Sequence, residues 1–145
     1  MAELSGACSN AMTTSHQLLL TLFPGLYAVA RYEPHEKPAI DYSQSSFCSF
    51  TKTDKELSVV CEQSALPEGV HAESNRRLLR VESVLAFTLT GVLAALAEPL
   101  AAAAISLFAI STYDTDYLLI ADADLERAIA ILESAGHKVQ RSPLQ

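Results

Sequence analysis

From Val84 to Ile110 the chain carries a single charged residue, Glu98. A stretch this apolar is long enough to cross a bilayer, and no other feature narrows the possible folds as much. Three features decide against a membrane span. Glu98-Pro99 stands in mid-run, where a charge and a helix break are both costly. Ala94, Ala95, Ala97, Ala101, Ala102 and Ala103 contribute little insertion energy, and the run is followed by Asp114 and Asp116 rather than by a basic loop. The run reads instead as a buried helix over Gly91–Ala103, with Leu93, Leu96, Ala97, Leu100 and Ala104 at helical spacing. A strand over Ile105–Thr112 follows, apolar on both faces and so expected at the centre of a sheet. Pro99 predicts a kink or an early helix end.

The flanking sequence extends this pair into β-α-β-β-α-β. Leu78–Glu82 reads as a strand before the helix and Asp116–Ile120 as one after the turn. Asp124–Ala135 is amphipathic, with Leu125, Ala128, Ile129 and Leu132 inward and Gly136 as its C-cap. His137–Arg141 closes the unit as a strand. Two helices on one face of an antiparallel sheet is a ferredoxin-like α+β arrangement. It leaves one face uncovered and two open edges, so the unit should pack on the first half of the chain, on a second copy, or on both. The first half reads as strands and turns. Gln17–Phe23 and Leu26–Tyr32 are separated by Pro24-Gly25, and 33–38 is a loop bracketed by prolines. Ser46–Phe50 and Leu57–Cys61 form a hairpin across Thr51–Lys55, with Phe47 and Cys48 on opposite faces. Leu66–Gly69 ends that unit, and His71–Arg77 is a polar connector. The expected division is 16–76 and 77–145.

Charge removes several function classes. Ten Lys and Arg stand against 17 Asp and Glu, a formal net charge of −7. The one cationic cluster is Arg76, Arg77 and Arg80, so nucleic acid and anionic lipid are not expected partners. Cys8, Cys48 and Cys61 contain no C-x-x-C spacing; Cys48 and Cys61 read as small buried hydrophobes in a reducing, cytoplasmic setting. No Lys or Arg precedes Arg31, so a secretory n-region is missing. Ser9-Asn10-Ala11 before Met12 resembles a vector scar, leaving Met1 or Met12 as the native start.

Enzyme signatures are absent: there is no G-x-S-x-G, H-E-x-x-H, Walker loop or G-x-G-x-x-G. His16, His35, His71 and His137 lack metal-ligand spacing. No catalytic residue, metal or cofactor is expected. Two polar clusters remain. Asp114-Thr115-Asp116 follows the strand; if extended, its two carboxylates point to one side and could hold an ammonium group or a metal, while otherwise it is a turn. Thr88-Leu89-Thr90-Gly91 precedes the first helix, either as a seat for an anionic group or as an ordinary cap with Thr90 as N-cap. Together they match the two ends of an amino-acid zwitterion. Ser106 either contacts a ligand or permits close packing.

The segment LLRVESVLAFTLTGVLAALAEPLAAAAISLFAISTYDTDYLLIADADLERAIAIL, and above all ISTYDTDYLLI at Ile110–Ile120, resembles an ACT domain. Within that superfamily it is similar to small two-module bacterial proteins related to the eukaryotic cytosolic arginine sensors. FPGLYAVARY and SFCSFTKTDKELSVVCEQSALPEGV resemble their first, degenerate module. The resemblance implies tandem ACT modules, a free-standing regulatory protein, and an amino acid held at an ACT–ACT interface. It places ligand contacts at Thr88, Leu89, Thr90 and Gly91, at Ser106 with Leu107, and at Asp116, beside Asp114. The sensors have a glutamate where this chain has Leu89, so a smaller or neutral amino acid is expected at least as much as arginine. The first module lacks a helix between Tyr32 and Ser46. The expected function is amino-acid-binding regulation, with a homodimer as the default assembly. The alternative is an ACT-fold scaffold or interaction module without a ligand.

Overall fold

The computed structural model describes residues 17–82 and 90–143. Eight strands form one sheet: β1 (Leu19–Leu22), β2 (Tyr27–Tyr32), β3 (Ser49–Lys52), β4 (Leu57–Glu62), β5 (Ala72–Val81), β6 (Leu107–Ser111), β7 (Asp116–Ala121) and β8 (Lys138–Arg141). Among the described residues there are two α-helices, α1 (Val92–Ala102) and α2 (Leu125–Ser134). The architecture is α+β with ferredoxin-like modules, as the pattern predicts for the second half and the resemblance implies for the pair.

β5 organises both halves. Its first residues pair with β2, in a row running β3-β4-β2-β5. Its last residues pair with β7 on one side and with β1 on the other. The second half therefore reads β6-β7-β5-β1-β8, with β1 from the N-terminal side inserted between β5 and β8 and running parallel to β8. β1 and β2 are one strand interrupted at Phe23–Leu26, both antiparallel to β5. The polar segment His71–Arg77, expected as a connector, is for the most part the front half of β5. It reads as polar because Glu73, Ser74 and Asn75 face solvent, and Asn75 (φ 57°) breaks the alternation with a bulge beside Tyr27–Val29. Residues 76 and 77 lie inside this strand.

The core is split by the sheet. On the helix side Leu20, Leu22, Leu79, Val81, Leu118 and Ile120 pack against Val92, Leu96, Leu100, Leu125, Ala128 and Leu132. On the other side Leu78 and Leu119 lie under Phe23, Tyr27, Phe47 and Val60. That face, expected to be uncovered, is partly closed by Phe47, whose ring centroid lies 4.5 Å from that of Tyr117. No helix occurs between Tyr32 and Ser46.

The apolar run resolves into α1 and β6, with 84–89 outside the described residues. Among the described residues no helix is long and apolar enough to cross a membrane. Two expectations fail here. Among the described residues β6 pairs with β7 alone and is an edge strand, with Phe108 41% exposed. Its two apolar faces signal an unpartnered edge rather than burial. On α1, Leu93 is exposed and Val92 takes the inward position.

Pro99 also does not end α1, which continues to Ala102. A proline removes the N–H that would bond the carbonyl four residues earlier, here that of Ala95. His137 supplies the missing donor: its Nε2 lies 3.1 Å from the Ala95 carbonyl oxygen. Its Nδ1 accepts the Leu18 amide proton at 3.1 Å, which fixes the neutral Nε2–H tautomer.

Candidate functional site

The β6–β7 hairpin closes on a two-residue turn, Tyr113-Asp114, with the Thr112 amide donating to the Thr115 carbonyl at 2.8 Å. Asp114-Thr115-Asp116 is therefore not one extended stretch: Asp114 lies in the turn and Asp116 begins β7. Threonines rather than aspartates hold the turn. The Thr112 hydroxyl donates to the Thr115 carbonyl, and the buried Thr115 hydroxyl donates to the Val81 carbonyl at 2.8 Å, fastening the hairpin to the end of β5. Because 112/115 is a hydrogen-bonded pair, 111/116 is a non-hydrogen-bonded one, where side chains approach closely. There the Ser111 hydroxyl donates to Asp116 Oδ1 at 2.5 Å. Asp116 is thus engaged on the hairpin.

Asp114 instead faces a polar cleft of about 390 Å³, lined by Arg80, Val81, Glu82, Thr112, Thr115 and Tyr117. Arg80 and Glu82 project from one side of β5, two residues apart, and form an ion pair at 2.7 Å. The Arg80 guanidinium lies over the Phe23 ring, 4.8 Å from its centroid. Burial works against the Glu82 carboxylate, but a hydrogen bond from Thr21 and the Arg80 guanidinium outweigh it and hold its pKa below the usual range. One guanidinium and two carboxylates around a single cleft can receive both ends of a zwitterion.

The other expected residues divide between the two ends of the sheet. β5 and β6 are parallel, since both run antiparallel to β7. The intervening α1 therefore starts at their carboxyl ends, the end that holds Glu82 and the hairpin. Thr90 and Gly91 are exposed at that start, with Gly91 as N-cap in the left-handed region (φ 82°) and no side-chain cap. Thr88 and Leu89 lie outside the described residues. Exposed Ser106 and half-buried Leu107 stand at the opposite end, where Leu107 pairs with Ile120. Four residues of strand separate Leu107 from Ser111, about 13 Å. One small ligand does not span that distance within a single chain. Among the described residues no group of His, Cys, Asp and Glu could hold a metal ion.

A second groove of about 490 Å³ lies at the β1–β2 interruption, lined by Leu22, Phe23, Pro24, Gly25, Arg77, Arg141 and Ser142. It is mainly apolar. Arg77 is paired with Asp122 and Arg141 with Glu126, although Arg77 Nε is buried without a hydrogen-bond partner. Among the described residues no acidic one lines it to receive an ammonium group, so it matches a zwitterion less well than the cleft. The contribution of Arg80 and Glu82 is missed at the sequence level. Their i, i+2 spacing on a strand was the available signal, but both precede the segment in which a ligand loop is expected.

The ACT domain family profile matches residues 71–134, and a second profile, described only as an N-terminal domain, matches 25–69. A search of curated proteins found no match. Among solved structures, a protein of Agobacterium tumefaciens is 32% identical with a TM-score of 0.81, over 89% of this chain and 96% of that one. A Vibrio cholerae protein of unknown function, described as a possible transport protein, is 18% identical with a TM-score of 0.66, over 84% of this chain and 92% of that one. The regulatory subunit of aspartate kinase from Thermus thermophilus, in its ligand-free form, shares the fold at 10% identity and a TM-score of 0.52, over 77% of this chain and 93% of that one.

Proposed function

Since this chain belongs to one family with the Agobacterium tumefaciens protein and carries an ACT domain in its second half, we propose that it is a regulatory protein that binds an amino acid in the cleft at the end of β5. In this reading residues 77–145 form the ligand-binding unit and 16–76 its degenerate companion. The observation that carries it is the cleft, where Asp114 and Glu82 stand beside Arg80. Arg80 receives the carboxylate, and Asp114 with the Thr112 carbonyl and hydroxyl receives the ammonium group. The likeness to arginine sensors is narrowed by Leu89, and a small or neutral side chain fits better. Nothing in the cleft is arranged as a nucleophile with its base, so the reading is a binder and not a catalyst.

The assembly proposed with it is a homodimer through β6. Ladder alternation turns the backbone groups of Leu107, Ala109 and Ser111 away from β7, toward the open edge. An antiparallel two-fold pairing centred on Ala109 sets Leu107 of each copy against Ser111 of the other. Ser106 and Leu107 would then meet the hairpin that carries Asp114 and Asp116, completing a site that one chain leaves divided. The same open edge favours the second reading, an interaction module without a ligand.

A thermal-shift screen against the twenty amino acids at millimolar concentration separates the two. A ligand at a hundredfold excess over Kd adds about 2.7 kcal/mol, read as a rise of several degrees. The expected result is a selective rise that Asp114→Asn abolishes. A flat screen from a well-folded dimer overturns ligand binding and leaves the interaction module.

A further inference from the structure

The β3–β4 hairpin carries a cysteine pair whose geometry the sequence spacing conceals. Its turn is Asp54-Lys55, closed by the Thr53 amide donating to the Glu56 carbonyl at 2.8 Å, so 53/56 is a hydrogen-bonded pair. Pairs alternate outward from there. Lys52/Leu57 is non-hydrogen-bonded, Thr51/Ser58 hydrogen-bonded, Phe50/Val59 non-hydrogen-bonded and Ser49/Val60 hydrogen-bonded. One further step sets Cys48 opposite Cys61 in a non-hydrogen-bonded position. At such positions facing Cα atoms are about 4.5 Å apart and side chains are closest, inside the range a disulfide spans.

Packing gives the same placement independently. Cys61 is fully buried in the cluster of Ala30, Ile40, Leu57 and Val59, and Cys48 is half-buried against that cluster, on the opposite side of the chain from Phe47. Both thiols are free. Burial pushes the Cys61 thiol up to about 11, with the neighbouring Cys48 and Glu62 adding to it, and burial raises Cys48 as well. The less buried Cys48 is therefore the first to react.

We propose that Cys48 and Cys61 form a cross-strand disulfide when the protein meets a hydroperoxide. Cys48 loses its proton to solvent, and its sulfur attacks the terminal peroxide oxygen. The O–O bond breaks, releasing an alcohol, or water from hydrogen peroxide, and leaving a sulfenic acid. The Cys61 sulfur then attacks the Cys48 sulfur, the S–S bond forms, and the sulfenic oxygen leaves as water with the Cys61 proton. Two thiols are oxidised by two electrons, and the peroxide is reduced. The bond would fasten the 33–48 segment to β4, and with it Phe47, the next residue, in its place against Tyr117.

The test uses the full chain carrying Cys8→Ser, so that only this pair remains. The reduced protein is treated with hydrogen peroxide, denatured, alkylated with N-ethylmaleimide and weighed intact. The expected product is a monomer 2 Da lighter with no maleimide adduct, melting several degrees higher than the reduced form. The further variant Cys48→Ser should keep one reactive thiol and show no such rise. Two adducts after oxidation, or a disulfide found only between chains, would each overturn the proposal.

Discussion

Ala104 holds a left-handed φ of 57° where α1 ends, in the position that Gly136 holds (φ 97°) where α2 ends. Both ends are Schellman motifs. Ile105 donates to the Leu100 carbonyl and Ala104 to that of Ala101, while His137 donates to Leu132 and Gly136 to Glu133. An L-residue in this region carries a cost of about 1 kcal/mol that glycine does not. Ala104→Gly should therefore raise the stability of the protein by about 1 kcal/mol in urea unfolding. Gly136→Ala should lower it by a similar amount, since its Cβ would meet nothing within 4 Å and the whole effect is conformational. Residues at this scale were unevenly legible. Gly136 announces a helix end in the sequence, whereas Ala104 sits in an alanine run where nothing marks it. Asp114 was legible as a polar cluster, but its place in a two-residue turn, with Asp116 opening β7, is something spacing alone does not specify.

Among the elements, α1 is held in place by a side chain from the far end of the sequence. His137 joins the Leu18 amide before β1 to the Ala95 carbonyl that Pro99 leaves unbonded. His137→Leu would bury both groups unpaired and should cost about 3 kcal/mol. Pro99→Ala restores a backbone donor to Ala95, so in a double-mutant cycle by urea unfolding the His137→Leu loss should shrink when Pro99→Ala is present. Equal losses in both backgrounds would show that His137 does not stand in for the missing N–H. The sequence displays the proline and the histidine but not their meeting, which follows from β8 docking beside β1. Element identity was legible wherever periodicity was strong, as in α2 and the β3–β4 hairpin. For β6 the strand was legible but its place in the sheet was not, because an apolar edge strand and a central strand share one pattern.

For the whole molecule, the proposed homodimer rests on the β6 edge, which among the described strands only β7 pairs with. The Ala109 amide faces away from β7, so Ala109→Pro removes a donor at the edge and leaves the β6–β7 ladder bonded. The variant is expected to keep the thermal stability of a monomer while light scattering shows half the mass of the parent protein. An unchanged mass would move the interface elsewhere. The strand order also accounts for what sequence reading missed about the two halves. Their separate patterns are visible, but β1 lies between β5 and β8, and β5 completes a row on each side.

That double use of β5 has a consequence for how such a chain can be inherited. A crossover between related genes inside 72–81 would join two half-strands selected against different neighbours and disturb both rows of the sheet together. Exchanges that keep β5 whole and fall in the 33–48 segment or the Asp54-Lys55 turn would disturb only one. Chimaeras of this family should therefore survive with breakpoints in those loops and be lost with breakpoints in the middle of the strand.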